Sequence, residues 1–365
     1  MWPTRLSFID GQKGVLLFQG IPIEELAENA TYEEVVYLLW QGELPTAQQF
    51  DAFKAKLAAY RAVPAPVIDG IRAFPADAHP MAVLRSAVSA LGLHDPRAED
   101  ESREANEEKA ARLTAAIPTL IAAHERIRNG QEPIPPDPDL GHAENFLFML
   151  TGDAPNQVAV QAVDTYLVLL ADHGFNASTF TARVIAATQS DMYSAVTGAI
   201  GALKGPLHGG ANQRVMEMLF DVGEPERAEA WINNALDARQ RIMGLGHRVY
   251  KTLDPRARIL RRRSEALADV AGIRKWHDIA VTIADVATER LGAKGIWPNV
   301  DFYSGPVLYA AGIPVDQFTP LFAMSRIAGW TGHVLEQQAD NRLIRPRAKY
   351  VGPTDRHYVP FDQRG

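Results

Sequence analysis

A chain of 365 residues with 47% hydrophobic and 22% charged side chains is long enough to bury a large core, and its length favours two structural domains over one. A formal net charge of −7 leaves no overall positive surface for phosphates, which argues against a nucleic-acid partner. The chain has no cysteine, so disulfides, thiolate metal sites and cysteine nucleophiles are excluded, as fits a cytoplasmic protein.

The N-terminal stretch MWPTRLSFIDGQKG puts a charge and a turn where a secretion signal needs an unbroken apolar run. The segment RLSFIDGQKGVLLFQGIPIEEL alternates polar and apolar residues around glycine turns and predicts one or two short strands. Helices follow. Thr31 is a cap candidate, Val35, Leu38 and Leu39 form an apolar face, and Gly42 is a stop. Phe50, Phe53 and Leu57 repeat the helical spacing, and residues 81–93 form a further apolar helix. The mixed-charge run at 96–109 reads as the solvated start of the next helix. Residues 130–142 hold too many prolines for a helix and form a linker or crossing loop.

Further helices are predicted at 158–173, 193–203, 212–219, 227–243, 256–271 and 275–291. The most apolar stretch, 158–171, is broken by Gln161 and Asp164 and falls short of the roughly 20 residues that cross a bilayer, so no membrane association is expected. Valine-rich strands alternating with helices and a glycine fingerprint are missing, which argues against a doubly wound nucleotide fold. The fold class is mainly α.

Three histidines sit at turns beside glycine or helix starts: His173 in ADHGFNAST, His208 in KGPLHGGAN and His247 in GLGHRVYKTLDPRAR. Glycine lets a ligand approach the backbone, and free amides at a helix N-terminus favour negative charge. Taken singly, each reads first as a satisfied structural histidine. A zinc site is disfavoured, because no short i,i+3 or i,i+4 pairing anchors it. Asp301, in WPNVDFYSGP ahead of a glycine turn and a new helix, is either a helix cap, the slightly favoured reading, or a base with a tuned pKa. Arg326 stands alone on an apolar helix face and needs an anionic partner, an internal acid or a substrate carboxylate. Arg342, Arg345 and Arg347 lie in an extended segment that reads otherwise as basic surface. Together these types suit carbon-acid chemistry on an acidic small molecule: a carboxylate base, a neutral histidine for an enolate oxygen and arginines for carboxylates.

In chain order, IDGQKGVLLFQGIPIEELAENATYEEVVYLLWQGELPT, HPMAVLRSAVSALG, DHGFNASTFTARV, GALKGPLHGGANQRVMEML, GLGHRVYKTLDPRA, NVDFYSGPVLYAAGIP, FAMSRIAGWTGHVLEQ and RLIRPRAKYVGP resemble the citrate synthase family over nearly the whole chain. The resemblance implies a mainly helical homodimer. A large domain would span residues 1–212 and 316–365, and a small domain at 213–315 would close over the substrates. It implies condensation of acetyl-CoA with oxaloacetate and water to citrate and CoA. His208 would stabilise the thioester enolate, Asp301 would take the methyl proton, and His247 would polarise and protonate the oxaloacetate carbonyl. His173, Arg256 and Arg326 would bind oxaloacetate, and Arg345 would act across the dimer interface. Lys251, Leu245 and Gly246 would contact CoA. No metal and no cofactor are implied. The family's tyrosine-arginine-glycine is replaced here by Phe18, Gln19 and Gly20. The short lead before Ile9 leaves no place for the extra domain of the NADH-regulated hexameric branch. The rival reading is 2-methylcitrate synthase, using propionyl-CoA; a non-catalytic CoA-sensing or helical interaction protein is a remote one, since it would be expected to lose at least one of His208, His247 and Asp301.

Overall fold

The computed structural model describes residues 3–364, in which a small antiparallel meander leads into sixteen α-helices. Strands β1 (Ser7–Asp10), β2 (Val15–Phe18) and β3 (Ile21–Pro22) pair with Ser7 opposite Phe18 and Asp10 opposite Val15. Asp10 Oδ1 accepts from the amides of Gln12 and Lys13, each at 3.0 Å, which closes the turn. The alternation sends Leu16 and Phe18 into the core. Three strands form where one or two are expected, and the IEEL end of that segment is helix α1 (Ile23–Asn29).

The caps follow the local sequence. Helix α2 (Tyr32–Gln41) opens on a capping box between Thr31 and Glu34 and stops at Gly42, whose φ of 87° is left-handed. Helix α3 (Ala47–Tyr60) uses the same device with Thr46 and Gln49. Helix α4 (Ala65–Arg72) is not foreseen from the sequence, since its buried stripe is only Val67 and Ile71. Helix α5 (Pro80–Leu93) and α6 (Arg103–Arg128) follow, α6 capped by Ser102 inside the mixed-charge run. That run is solvated apart from Ala105, Asn106 and Lys109, and the buried Lys109 donates to Ala98 O at 2.7 Å and Asp100 O at 2.8 Å. Helix α7 (His142–Thr151), also unforeseen, begins where the proline-rich stretch ends.

Helices α8 (Gln157–Leu170), α9 (Ala177–Ala186), α10 (Met192–Leu203), α11 (Ala211–Val222) and α12 (Pro225–Asp237) continue the chain. Then come α13 (Pro255–Ala271), α14 (Arg274–Leu291), α15 (Val300–Ala310) and α16 (Phe318–Ala339). Three expected ends move: α11 runs on from Leu219 to Val222, and tertiary competition explains the shift in α8. Helix α8 stops three residues short of His173 because Arg326 Nε takes Leu170 O at 2.6 Å and Gly329 N takes Ala171 O at 3.0 Å. Helix α12 stops at Asp237 rather than Met243; Arg239 has a φ of 55°, and the chain beyond it runs irregularly to Asp254. Helix α15 starts before Asp301, and Gly305 and Pro306 continue it instead of making a turn, with Gly305 leaving room for Asn212 O.

Helix α16 is the hub. All of residues 318–334 are buried, and it touches α2, α6, α8, α9, α10 and α11. Around it α11 to α15 pack largely on one another, with α13 and α15 reaching back to α8. After Ala339 the chain runs extended, and most of it is exposed.

Candidate active site

Five chain segments meet, four of them at helix ends: the turn 171–176 before α9, the turn 204–210 before α11, the irregular run 238–254 before α13, the start of α15 and, as the fifth, the middle of α16. Helix ends leave backbone groups free and side chains at defined angles, so they suit a site that must grip a polar molecule.

His173 is buried in the first turn, with Nε2 3.2 Å from the Tyr250 hydroxyl and its ring edge-on to that of His247 at 5.4 Å. Burial, with Arg256, Arg326 and His247 nearby, holds its pKa well below the usual histidine value. His247 Nδ1 accepts from the amides of Val249 at 3.1 Å and Tyr250 at 3.2 Å, so the neutral ring carries its proton on Nε2. Burial and then Arg256 bring its pKa down to about 4.

His208 is set up in the opposite sense. Its Nε2 accepts from Ser178 N at 3.3 Å and lies 2.7 Å from Ser178 Oγ, which leaves the proton on Nδ1. Trp330 Nε1 donates to the same Oγ at 3.0 Å and so fixes Ser178. Burial lowers His208 to about 4, with Arg326 adding to the effect, so the ring is neutral at neutral pH. The glycines beside it serve the chain's own packing. A Cβ on Gly209 would lie 2.2 Å from Leu203 O, and Gly210 has a φ of 78° at the N-cap of α11.

Asp301 is not the cap of α15: Asn299 is, its Oδ1 taking Asp301 N at 2.9 Å. Asn299 Nδ2 also donates to Gly246 O at 2.8 Å, and Gly246 N donates to Trp297 O at 2.8 Å, which ties the His247 loop to the start of α15. The Asp301 carboxylate accepts no hydrogen bond from a described residue, and burial raises its pKa to about 6 against the pull of Arg256 and Arg326. A cap is held by the amides it satisfies, whereas this carboxylate is left basic and free.

Both arginines are buried, with different partners. Arg256 forks onto Asp254, Nε to Oδ1 at 3.0 Å and Nη2 to Oδ2 at 2.8 Å, so its first anion is internal. Burial opposes that charge, and Asp254, Tyr250 and Asp301 together more than offset the effect. Arg326 has no carboxylate within 4.0 Å among the described residues; its Nε is held by Leu170 O, and its guanidinium lies 4.7 Å from the Phe322 ring. Burial pulls it down to about 10, still charged at neutral pH. A buried cation with no close anion is poised for a bound one. Phe322 also lies 6.4 Å from the His208 ring and so joins the two halves of the site.

Thus His173, His247 and Arg256 meet around Tyr250, His208 and Arg326 meet around Phe322, and Asp301 feels both arginines. Lys251 is exposed, its Nζ 3.4 Å from His247 O and 3.3 Å from Arg248 O. Leu245 forms a bridge with Pro298, and Gly246 has a φ of 77°. Arg345 is not brought to this cluster. It is exposed, on a separate cleft of about 970 Å³ shared with Arg183, Glu336 and Arg342. Sequence reasoning missed Tyr250, Asp254, Ser178 and Trp330. Only Asp254 carried a usable signal, an aspartate before a proline at a helix start.

Comparison with known proteins identifies the family. The family model described as "Citrate synthase, C-terminal domain" matches residues 1–347. The citrate synthase of Haloferax volcanii is 51% identical over 366 residues, covering 99% of this chain and 96% of that protein. A 2-methylcitrate synthase of Mycobacterium tuberculosis is 44% identical over 353 residues, covering 97% of this chain and 88% of that protein. Among solved structures, the ternary complex of carboxymethyl coenzyme A and oxaloacetate with citrate synthase from Thermoplasma acidophilum superposes with a TM-score of 0.94 at 36% identity, over 100% of this chain and 97% of that one. On this agreement of sequence and fold, the chain belongs to the citrate synthase family.

Proposed function

We propose that the protein is a citrate synthase, joining acetyl-CoA to oxaloacetate with water to give citrate and CoA. The observation that carries this is a pair of neutral histidines whose free N–H groups are set by the bonds at their other nitrogens, one near Arg326 and one near Arg256, and an unpaired carboxylate with a pKa of about 6 that feels both of those arginines. Asp301 takes a proton from the acetyl methyl group, and His208 Nδ1–H holds the thioester oxygen as it becomes an enolate. The nucleophilic carbon attacks the oxaloacetate carbonyl, whose oxygen takes the proton from His247 Nε2. His173, Arg256 and Arg326 hold oxaloacetate. Water then cleaves the thioester and releases CoA. Each step uses side chains and water, so the proposed chemistry needs no metal ion or nicotinamide. Lys251, with the backbone at Leu245 and Gly246, is assigned to CoA.

Residues 213–315 are the proposed small domain, closing on residues 1–212 and 316–365 as oxaloacetate binds. The proposed assembly is a homodimer in which Arg345 enters the partner's site. An extended tail that exposes Leu343, Tyr350, Val351, Tyr358 and Phe361 supports it, since such apolar surface calls for a covering partner. Among the described residues no helix is long and apolar enough to cross a membrane; a cytoplasmic location is part of the same reading.

Steady-state rates with acetyl-CoA and propionyl-CoA side by side test the assignment. One methylene in a pocket is worth about 1–3 kcal/mol, or roughly 10- to 200-fold. The expected result is a higher kcat/KM for acetyl-CoA; a higher value for propionyl-CoA would make the protein a 2-methylcitrate synthase.

A further inference from the structure

Beneath His173 lies a polar network that the reaction as proposed does not use. Asp172 is fully buried. Its Oδ2 accepts from Ser7 Oγ of β1 at 2.5 Å and from Gly174 N at 3.0 Å, and its Oδ1 faces Nε2 of the equally buried His333 on α16 at 3.2 Å. Neither of those last two atoms makes a hydrogen bond to a described residue, each other included, so their 3.2 Å approach is an electrostatic contact rather than an aligned hydrogen bond. Two buried polar atoms in such a position can satisfy only each other, and leaving either alone is costly.

The far side of the ring settles its tautomer. His333 Nδ1 lies 3.2 Å from Nη1 of Arg183, and a guanidinium has donors only, so Nδ1 accepts and the proton sits on Nε2, aimed at Asp172. Arg183 is itself held, by Glu336 Oε2 at 2.6 Å and Gln337 Oε1 at 3.0 Å. The turn at 171–176 is neither helix nor strand, and beside the backbone bonds of Ala171 O and Gly174 O the ties to the Asp172 side chain help to define it. The His173 ring has its one recorded hydrogen bond to Tyr250, which belongs to a different loop. Arg326 lies two turns before His333 on the same helix.

We propose that His333 is a positioning residue for His173: its Nε2–H fixes the Asp172 carboxylate, and through it the turn that presents the His173 imidazole at a set distance from Arg326. The inference rests on the reading of His173 and Arg326 as oxaloacetate ligands. His333 touches no reacting atom in this scheme. Its effect falls on keto-acid binding.

The test uses the full chain with His333→Leu and His333→Gln, since a glutamine amide can donate to Asp172 and leucine cannot. Expected for H333L is a rise of about tenfold or more in KM for oxaloacetate, with KM for acetyl-CoA at saturating oxaloacetate changed less than about twofold, and with most of the loss restored in H333Q. Unfolding temperatures are measured alongside, because a purely structural role would lower stability and active fraction while leaving both KM values in place. Folded H333L with an unchanged oxaloacetate KM overturns the proposal. Should H333L fail to fold, Ser7→Ala removes the other side-chain tie to Asp172, and an unchanged oxaloacetate KM there overturns it equally. A wild-type chain that makes no citrate would instead overturn the functional reading, and this one with it.

Discussion

Asp301 faces two opposed requirements: it must be ionised to take a proton, and it sits where ionisation is disfavoured. Burial lifts its pKa from 3.8 to about 6, while His208 and His247, at about 4, are still mostly neutral as the pH falls through 6. The acid limb of kcat/KM is therefore expected to follow Asp301 alone, activity falling as pH drops through about 6; a limb centred near 4 would show that a histidine governs it. The same shift bears on stability. Above about pH 6 the folded chain holds a carboxylate that the unfolded chain would ionise more readily, and this penalty is gone below 3.8. Asp301→Asn should thus lose activity by a factor of about 10²–10⁴, yet unfold at a higher temperature than wild type at pH 8. A lower unfolding temperature there would contradict the assigned environment.

Among the elements, α16 is the one whose placement the site depends on most. Gly329 lets it press against the end of α8: a Cβ there would meet Asp172 Oδ1 at 2.5 Å and Ala171 O at 2.6 Å, both next to His173. Tyr32, at the start of α2, holds the same helix from the other side, its hydroxyl donating to Met324 O at 2.9 Å and Ser325 O at 2.8 Å, just before Arg326. Gly329→Ala should accordingly cost about 1–3 kcal/mol of stability by overpacking and raise KM for oxaloacetate more than that for acetyl-CoA, because the displaced atoms adjoin two keto-acid ligands. Equal stability and equal KM values in the variant would mean that the helices can part without moving the site. The caps of this level were legible in advance: Thr31 with Glu34, and Gly42, act as their sequence indicates. The end of α8 was not, since its last carbonyls are taken by residues more than 150 positions away.

At the scale of the whole molecule, the protomer leaves Arg345 outside its own cluster on an exposed tail. If the tail serves a second copy, the two sites of a dimer are complementary. Arg345→Gln and Asp301→Asn are each expected to be nearly inactive alone. Mixed and reassociated in equal amounts, they should regain about a quarter of the wild-type rate, since half the dimers are hybrids with one intact site each. No recovery, with hybrids demonstrated by a tag on one variant, would place Arg345 within its own protomer's site or outside catalysis altogether.

The mainly helical class, most helix starts and the turn settings of His173, His208 and His247 were written in local patterns: caps, apolar periodicity and glycines at fixed offsets. Those signals are short-range, and the chain carries them whether folded or not. Which nitrogen of each histidine bears its proton, which acid accompanies Arg256, and that Asp301 is free while Asn299 caps the helix were decided only in three dimensions. The His208 tautomer depends on an atom thirty residues away and the Asp301 pKa on the loss of water from a charge, and neither has a local signature; His247, Arg256 and Asn299 take partners within three residues, but only the folded loops bring those atoms into line. His208 illustrates the division: its turn could be read from the glycines beside it, but its role follows from Ser178, thirty residues earlier, taking up one face of the ring.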